Sequence, residues 1–167
     1  LQLYTNGSPT VSTDVVLSGT LLSGQTIVYK NSSATIYTGT SYVNSAVNYN
    51  GNDAVALYKI STVSYADIFG TIGENPGTAW ISGAYTTLDK TLARKSTVTG
   101  GVAVNPPPGF PTLGTEGDQY NVDDVSHLGT HTFSGATITY VLANFDVGIV
   151  NSYVVSGLTP NTLYHYV

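Results

Sequence analysis

The chain contains no cysteine and no methionine. The lack of cysteine excludes disulfides and thiol chemistry, including a cysteine nucleophile. It also argues against a small eukaryotic secreted domain, because such domains are commonly stabilised by disulfide bonds. A chain without thiols is compatible with export across a bacterial envelope.

Charge is scarce: only 9% of the residues are charged, five are basic, and the formal net charge is −5. A nucleic-acid surface needs a basic patch, and Lys90, Arg94 and Lys95 form the only cluster. We therefore expect no nucleic-acid partner. No apolar run approaches the roughly 20 residues of a transmembrane helix, so no membrane span is predicted.

The apolar content, by contrast, is 41%, with 13 tyrosines and abundant threonine, serine and glycine. This composition supports a folded β-rich core rather than disorder. The length fits one domain, or one domain and a fragment. The sequence has no GxSxG motif and no phosphate-binding loop, so we expect no enzymatic activity from the chain itself.

The most informative stretch covers residues 48–80. Two short runs of β-branched, aromatic and small apolar residues, Ala54–Lys59 and residues 65–69, predict strands. Residues 50–53 favour a chain reversal, and Asn75, Pro76 and Gly77 fit a type II turn. The predicted core comprises residues at apolar positions of the strands and the single tryptophan: Val55, Leu57, Ile68, Phe69, Trp80, Leu92 and Leu128.

Further short strands are predicted on both sides of this stretch. Residues 15–17 and 25–30 suggest a hairpin, in which Ile27 and Tyr29 alternate with Thr26, Val28 and Lys30 in a half-buried pattern. Residues 31–45 are polar and predict a loop, and the prolines of residues 105–109 predict a stiff one. The remaining predicted strands are residues 1–4, 91–95, 118–120 and 127–133.

Four motifs, NGNDAVALYK (50–59), ADIFGTIGENPGTAW (66–80), LDKTLARK (88–95) and VSHLGTHTF (125–133), resemble the lamin-tail domain of bacterial secreted and surface proteins. The resemblance covers residues 1–133 and implies an all-β, immunoglobulin-like β-sandwich. It also implies the strand at residues 91–95, where Leu88 and Leu92 alone would allow a helical turn. The family usually has a tryptophan near Gly117, and a glycine there would leave a core hole costing about 3–5 kcal/mol. Either a neighbouring side chain fills this hole, or the register of the segment differs from the one expected.

The segment 134–167 resembles part of a fibronectin type III domain. The motif GLTPNT (157–162) precedes alternating tyrosines, of which Tyr164 is the candidate for the family's tyrosine corner. The early strands of such a domain are missing, so we expect a C-terminal fragment of a second β-sandwich. Leu1 already lies in a strand-like segment, and we expect strands from neighbouring domains or subunits to complete the sheets.

Metal-ligand candidates are few. Glu116, Asp118, Asp123 and Asp124 could hold Ca²⁺ in a loop, although a solvated acidic loop balanced by distant lysines is the favoured interpretation. His127 and His131 would be about 13 Å apart in a strand, too far to share one zinc ion. His165, between Tyr164 and Tyr166, is expected to be solvated. We thus predict no cofactor, with Ca²⁺ as the one candidate.

Asp67 lies in an apolar run, so it is expected either at a strand edge or buried with a partner, for which Arg94 is the best candidate. A pair of carboxylates acting on a sugar is the catalytic alternative, but it requires a cleft that small sandwiches rarely form.

These features lead to three functional hypotheses. The first is a non-catalytic structural or adhesive module of a bacterial extracellular or cell-surface protein, as a filament or surface-assembly subunit. The second is the accessory domain of a secreted hydrolase such as a nuclease or phosphatase. The third is a carbohydrate-binding module that uses Tyr37, Tyr42 and Tyr49. The expected partners are further copies or neighbouring domains through strand edges, and a cell-surface glycan.

Overall fold

The computed structural model describes residues 1–22 and 24–134 of the chain. Short strands dominate, joined by long turns, with one brief helix, α1 (Thr112–Glu116). The strands are β1 (Gln2–Tyr4), β2 (Thr13–Asp14), β3 (Tyr29–Lys30), β4 (Tyr42–Val43), β5 (Ala54–Lys59), β6 (Ser64–Phe69), β7 (Ile81–Ser82), β8 (Tyr85–Thr86), β9 (Thr91–Arg94) and β10 (Gly117–Tyr120).

The largest sheet has four antiparallel strands in the order β2-β1-β5-β6. β5 and β6 form a hairpin through a 3-10 turn at Ile60–Thr62. The register between them shifts at Leu57 and Tyr58, where a bulge interrupts the side-chain alternation. These two strands lie where the β-branched and aromatic runs predict them.

Three further ladders have two strands each. β9 pairs with β10 and β7 with β8, both antiparallel, whereas β3 pairs with β4 in parallel. The strands predicted at residues 91–95 and 118–120 are confirmed by the first of these ladders. The fold of the described residues is therefore β-rich.

The core is built around aromatic rings that meet edge to face. Phe110 contacts both Phe69, at a centroid distance of 4.9 Å, and Trp80, at 5.9 Å. Trp80 is only 2% exposed, which confirms its predicted burial. The buried cluster comprises Tyr4, Ala54, Ala56, Ile68, Trp80, Phe110 and Leu113, with Phe69 and Leu92 packed against it.

The predicted inward face of β5 is wrong. Ala54 and Ala56 are buried, whereas Val55 is only half-buried and Leu57 is exposed. The Trp80 ring explains this difference. It packs against Gly70, in the space that a Cβ there would occupy, and Ala54 lies beside it. Only small side chains therefore fit on this face of β5. Because successive side chains of a strand point to opposite faces of the sheet, a shift of one residue exchanges the buried and the exposed positions along the whole strand.

The predicted hairpin of residues 15–17 and 25–30 is also wrong. β2 lies earlier, at Thr13–Asp14, and pairs with β1, while β3 pairs with β4 from the predicted loop at residues 31–45. Within the second segment Val28 is buried and Ile27 is exposed.

Residues 127–133 do not form the predicted closing strand, and Leu128 is exposed rather than buried. Asp124 accepts hydrogen bonds from both the N–H and the hydroxyl of Ser126, and Leu128 N–H donates to Val125 O. With Gly129 at φ +80°, these bonds fold the chain into successive turns.

The position of Gly117 has no room for a side chain. A Cβ there would lie 2.8 Å from the carbonyl oxygen of Leu113, the buried residue of α1. The expected hole is therefore not present at this position, since α1 brings its own backbone and the Leu113 side chain to the core.

Polar side chains fix the long loops to this core. Glu74 accepts hydrogen bonds from the Trp80 indole at 2.8 Å and from Gly109 N–H at 2.9 Å. Asn105 pairs with both backbone groups of Ile72, at 2.8 and 2.9 Å, much as a neighbouring strand would. The proline-rich loop is thereby held against residues 72–74.

The predictions for the segment 134–167, including the tyrosine corner at Tyr164 and the solvated His165, concern residues 135–167 and lie outside the described residues.

Candidate functional site

A cleft of about 540 Å³ lies beside the parallel β3–β4 ladder. Tyr37 and Tyr42, two of the three predicted sugar-binding tyrosines, both line it, whereas Tyr49 does not. Tyr42 is 56% exposed and its ring lies 6.3 Å from that of Tyr29. We call this feature the tyrosine cleft.

Neutral polar groups complete the tyrosine cleft. Thr26 donates its hydroxyl proton to Gly129 O at 2.5 Å, and Gln25 Oε1 accepts the Leu22 N–H at 3.0 Å. Thr40, in the exposed loop before β4, lies at the same cleft. The Thr26–Gly129 bond joins residues 103 positions apart, so only the folded chain assembles this wall.

The lining of the tyrosine cleft carries no aspartate, glutamate, lysine, arginine or histidine among the described residues. Its apolar parts are Val28, which is buried, and the exposed side chains of Leu21 and Ile27. The arrangement can offer aromatic and aliphatic surface together with hydroxyl and amide groups, and its described lining holds no acidic or basic side chain.

A second candidate is the end of the β5–β6 hairpin, where Ile60 and Val63 are 65% and 76% exposed. Val63 adopts the left-handed conformation, with φ 53° and ψ 47°. A β-branched residue rarely occupies this region, because its Cβ crowds the backbone. We call Ile60 and Val63 the hairpin tip.

The predicted pairing of Asp67 with Arg94 is confirmed. The guanidinium donates two hydrogen bonds to the carboxylate, at 2.5 and 3.0 Å, and Asp67 Oδ1 also accepts the Val102 N–H at 2.8 Å. Hydrogen bonding to Asp67 raises the pKa of Arg94, with Glu116 at 3.6 Å contributing. This cluster ties β6 to β9, and each member has a structural partner.

The four acidic candidates for Ca²⁺ occupy different environments. Glu116 faces Arg94, Asp118 lies in β10, and Asp123 is exposed at φ 61°. Hydrogen bonds from Ser126 lower the pKa of Asp124. Within the described part of the chain, no group of three or more histidine, aspartate or glutamate side chains is placed to hold a metal ion.

The remaining sequence candidates have local roles or are exposed. His127 stacks on Tyr120 at 3.9 Å, and His131 is exposed. Lys95 donates to the carbonyl oxygens of Gly114 and Thr115, which ties it to the end of α1. The predicted basic cluster is thus partly taken up by internal contacts.

Sequence reasoning missed the cleft residues Gln25, Thr26 and Gly129 and the hairpin tip. Nothing in the sequence indicated Val63, since its strain lies in a backbone conformation that the residue type does not predict. In residues 1–22 and 24–134, no helix has the length and apolar character needed to cross a bilayer.

A scan of the chain against protein-family models found no match, and searches of curated proteins and of solved structures found none either. The lamin-tail and fibronectin type III resemblances therefore stay predictions.

Proposed function

We propose that this chain is a non-catalytic structural and adhesive module of a bacterial extracellular or cell-surface protein, assembling with further copies of itself. In this proposal its strands belong to an immunoglobulin-like sandwich of the lamin-tail type. The observation that carries it is the hairpin tip, an exposed apolar pair of which one member is conformationally strained.

Exposed single hydrophobic residues are common, but strain at an exposed site needs a reason. Val63 packs into no core that would offset its left-handed backbone, so folding alone gives no advantage to a valine there. Burial of the hairpin tip against a second molecule would provide one, since removing apolar surface from water is favourable by about 25 cal/mol per Å².

The position of the hairpin tip also favours assembly. It leads directly into β6, the last strand of the four-stranded sheet, whose first residue, Ser64, is exposed. Near Asp67 the edge is covered, because Val102 donates to the Asp67 carboxylate and Gly101 lies against Ala66 O. The edge next to the tip is the part available to a partner strand.

The proposed contact is apolar, so it should respond to salt as hydrophobic association does. Association should strengthen with sulfate, which increases effective burial. The net charge of −5 opposes association most at low ionic strength, where self-repulsion is least screened.

Sedimentation velocity over a range of protein concentrations, with negative-stain microscopy of the same samples, tests the proposal. The wild type should associate, and the double variant Ile60→Ser, Val63→Ser should stay monomeric. Val104→Ser, at a residue 79% exposed elsewhere, is the matched control and should associate like the wild type. A wild type that is monomeric throughout, or equal effects of the tip and control variants, would contradict the proposal.

A further inference from the structure

We propose that the tyrosine cleft binds a short neutral oligosaccharide. This deepens the adhesive part of the proposed function by giving the module a ligand class, and it does not depend on assembly through the hairpin tip. The argument rests on the rings, the charge, the fixed polar groups and the size of the cleft.

The two rings provide the first step. Tyr37 and Tyr42 come from the loop before β4 and from β4 itself, and the β3–β4 ladder brings both to one cleft. A tyrosine ring presents an apolar face and a hydroxyl at its edge. Sugars have the matching character, with C–H groups on their ring faces and hydroxyls around the rim.

The absence of charge in the lining selects among ligands. Phosphate, sulfate and carboxylate groups are recognised by arginine and lysine, and hard cations by carboxylates. The described lining of the tyrosine cleft has none of these groups, so burying a charged ligand there would leave its charge without a partner. A neutral polar ligand avoids this cost.

The polar side chains are arranged before any ligand binds. The bond of Thr26 to Gly129 fixes its hydroxyl as an acceptor, and the bond of Gln25 Oε1 to Leu22 N–H leaves the amide NH₂ as the donor. Side chains already held in place lose little conformational entropy on binding. Two opposite hydrogen-bonding roles at one cleft suit hydroxyl groups, which both donate and accept.

The size of the cleft fits a small ligand. Its volume of about 540 Å³ lies inside the usual range of about 300–1,000 Å³ for small-molecule sites. With Tyr42, Leu21 and Ile27 exposed, the cleft opens to solvent, and a longer chain could continue beyond it.

The test measures binding of neutral hexasaccharides of glucose, mannose and N-acetylglucosamine by calorimetry, with sulfated and sialylated glycans as charged comparators. At least one neutral series should bind, and the charged glycans should bind more weakly. Tyr42→Ala should weaken binding at least about tenfold, equivalent to about 1.4 kcal/mol, while Tyr42→Phe should retain most of it. Thermal unfolding of each variant checks the fold.

Tyr49→Ala is the matched control, because Tyr49 is 54% exposed but lies outside the cleft. It should bind like the wild type. Amide NMR signals of Gly24 and Gly129 should shift when sugar is added to the wild type. This measurement does not depend on the folding of any variant.

Failure to bind any neutral glycan, a preference for charged glycans, or an equal loss in Tyr49→Ala would overturn the proposal. Sedimentation of the same samples separates the two proposals, since Tyr42→Ala should still associate and the Ile60→Ser, Val63→Ser variant should still bind sugar.

Discussion

At the scale of single residues, two side chains within residues 1–22 and 24–134 occupy left-handed backbone without being glycine, asparagine or aspartate: Val63 and Phe110. Phe110 is buried between Phe69 and Trp80, and this packing offsets the strain. Val63 is exposed and has no such compensation. Packing within a single chain therefore does not explain why position 63 is a valine.

We expect Val63→Gly to stabilise the monomer by about 1 kcal/mol, because glycine avoids the Cβ clash of left-handed backbone but loses more entropy on folding. Urea unfolding of dilute protein measures the difference. Val104→Gly, also at an exposed position, should be neutral or destabilising, and a destabilised Val63→Gly would count against strain at this site.

At the scale of elements, a bidentate ion pair joins two separate ladders. Arg94 of β9 and Asp67 of β6 are each about 30% exposed, at 29% and 32% of their side chains, so solvent weakens the attraction. Its main contribution is geometric, because a planar fork matches the carboxylate and sets the position of β9 against the main sheet.

Arg94→Lys should therefore destabilise the fold by about 1 kcal/mol, although it keeps the charge, because lysine cannot form the paired hydrogen bonds. Chemical denaturation provides the measurement. Lys90→Arg, which makes the reverse exchange at an exposed position, should leave stability unchanged. Equal stability of Arg94→Lys and the wild type would show that charge alone suffices.

The proline-rich loop contributes Phe110 to the core, so it should behave as part of the hydrophobic core. Phe110→Ala should cost about 3–5 kcal/mol of unfolding free energy through the cavity it leaves. Phe133→Ala removes an exposed ring and should stay within about 0.5 kcal/mol of the wild type. Comparable losses in both variants would disprove the central position of Phe110.

Strands with strong local patterns were predictable from the sequence. β5 and β6 follow from β-branched and aromatic runs between turn residues, and the burial of Trp80 follows from its size. The ion pair was predictable because a carboxylate in an apolar run needs a cation, and Arg94 was the best-placed candidate.

The predictions that were wrong share a different cause, because they concern contacts between distant parts of the chain. Which face of β5 points inward depends on the rings of Trp80 and Phe110, which arrive from other parts of the chain. The pairing of β3 with β4 and the bond of Thr26 to Gly129 are equally non-local. Tyr37 and Tyr42 could be proposed as candidates from residue type, but the cleft that unites them, and that excludes Tyr49, is a product of tertiary structure.

At the scale of the whole molecule, the ionisable side chains of Glu74 and Tyr4 make the stability of the fold depend on pH. Partial burial alone would raise the pKa of Glu74, but hydrogen bonds from Gly109, Trp80 and Thr71 outweigh it and lower the pKa below its ordinary value of 4.5. Burial, and then its hydrogen bond to Tyr65, raise the pKa of Tyr4 above 10.0. The first favours the folded state only when ionised, the second only when neutral.

Stability from Glu74 should be complete above pH 4.5 and fall as the pH drops through its lowered folded-state pKa. Stability from Tyr4 should be complete below pH 10.0 and decline as the pH rises from there through its raised folded-state pKa. Between these limits, neither group should make stability vary with pH.

Unfolding free energies of Glu74→Gln and Tyr4→Phe, followed across pH, separate the two contributions. Each variant should lose about 1–2 kcal/mol near neutral pH through missing hydrogen bonds. The Glu74→Gln curve should converge on the wild type in acid, and the Tyr4→Phe curve should do so in alkali. Val104→Ser changes no titratable group and should run parallel to the wild type, whereas Glu74→Gln and Tyr4→Phe curves that stay parallel throughout would rule out the linkage.

The pairing of β1 with β5 has a consequence for synthesis. Leu3 pairs with Val55, so β1 must wait for a strand that is made much later. At about 5–20 residues per second, a ribosome needs about 3–10 s to cover that interval. During that time only the two-residue β2 can pair with the nascent strand. Beyond the β1–β2 pair, pairing within the main sheet should therefore begin only after β5 has left the ribosome, and a pause before the codon for Val55 should prolong the exposure of β1 to holding chaperones.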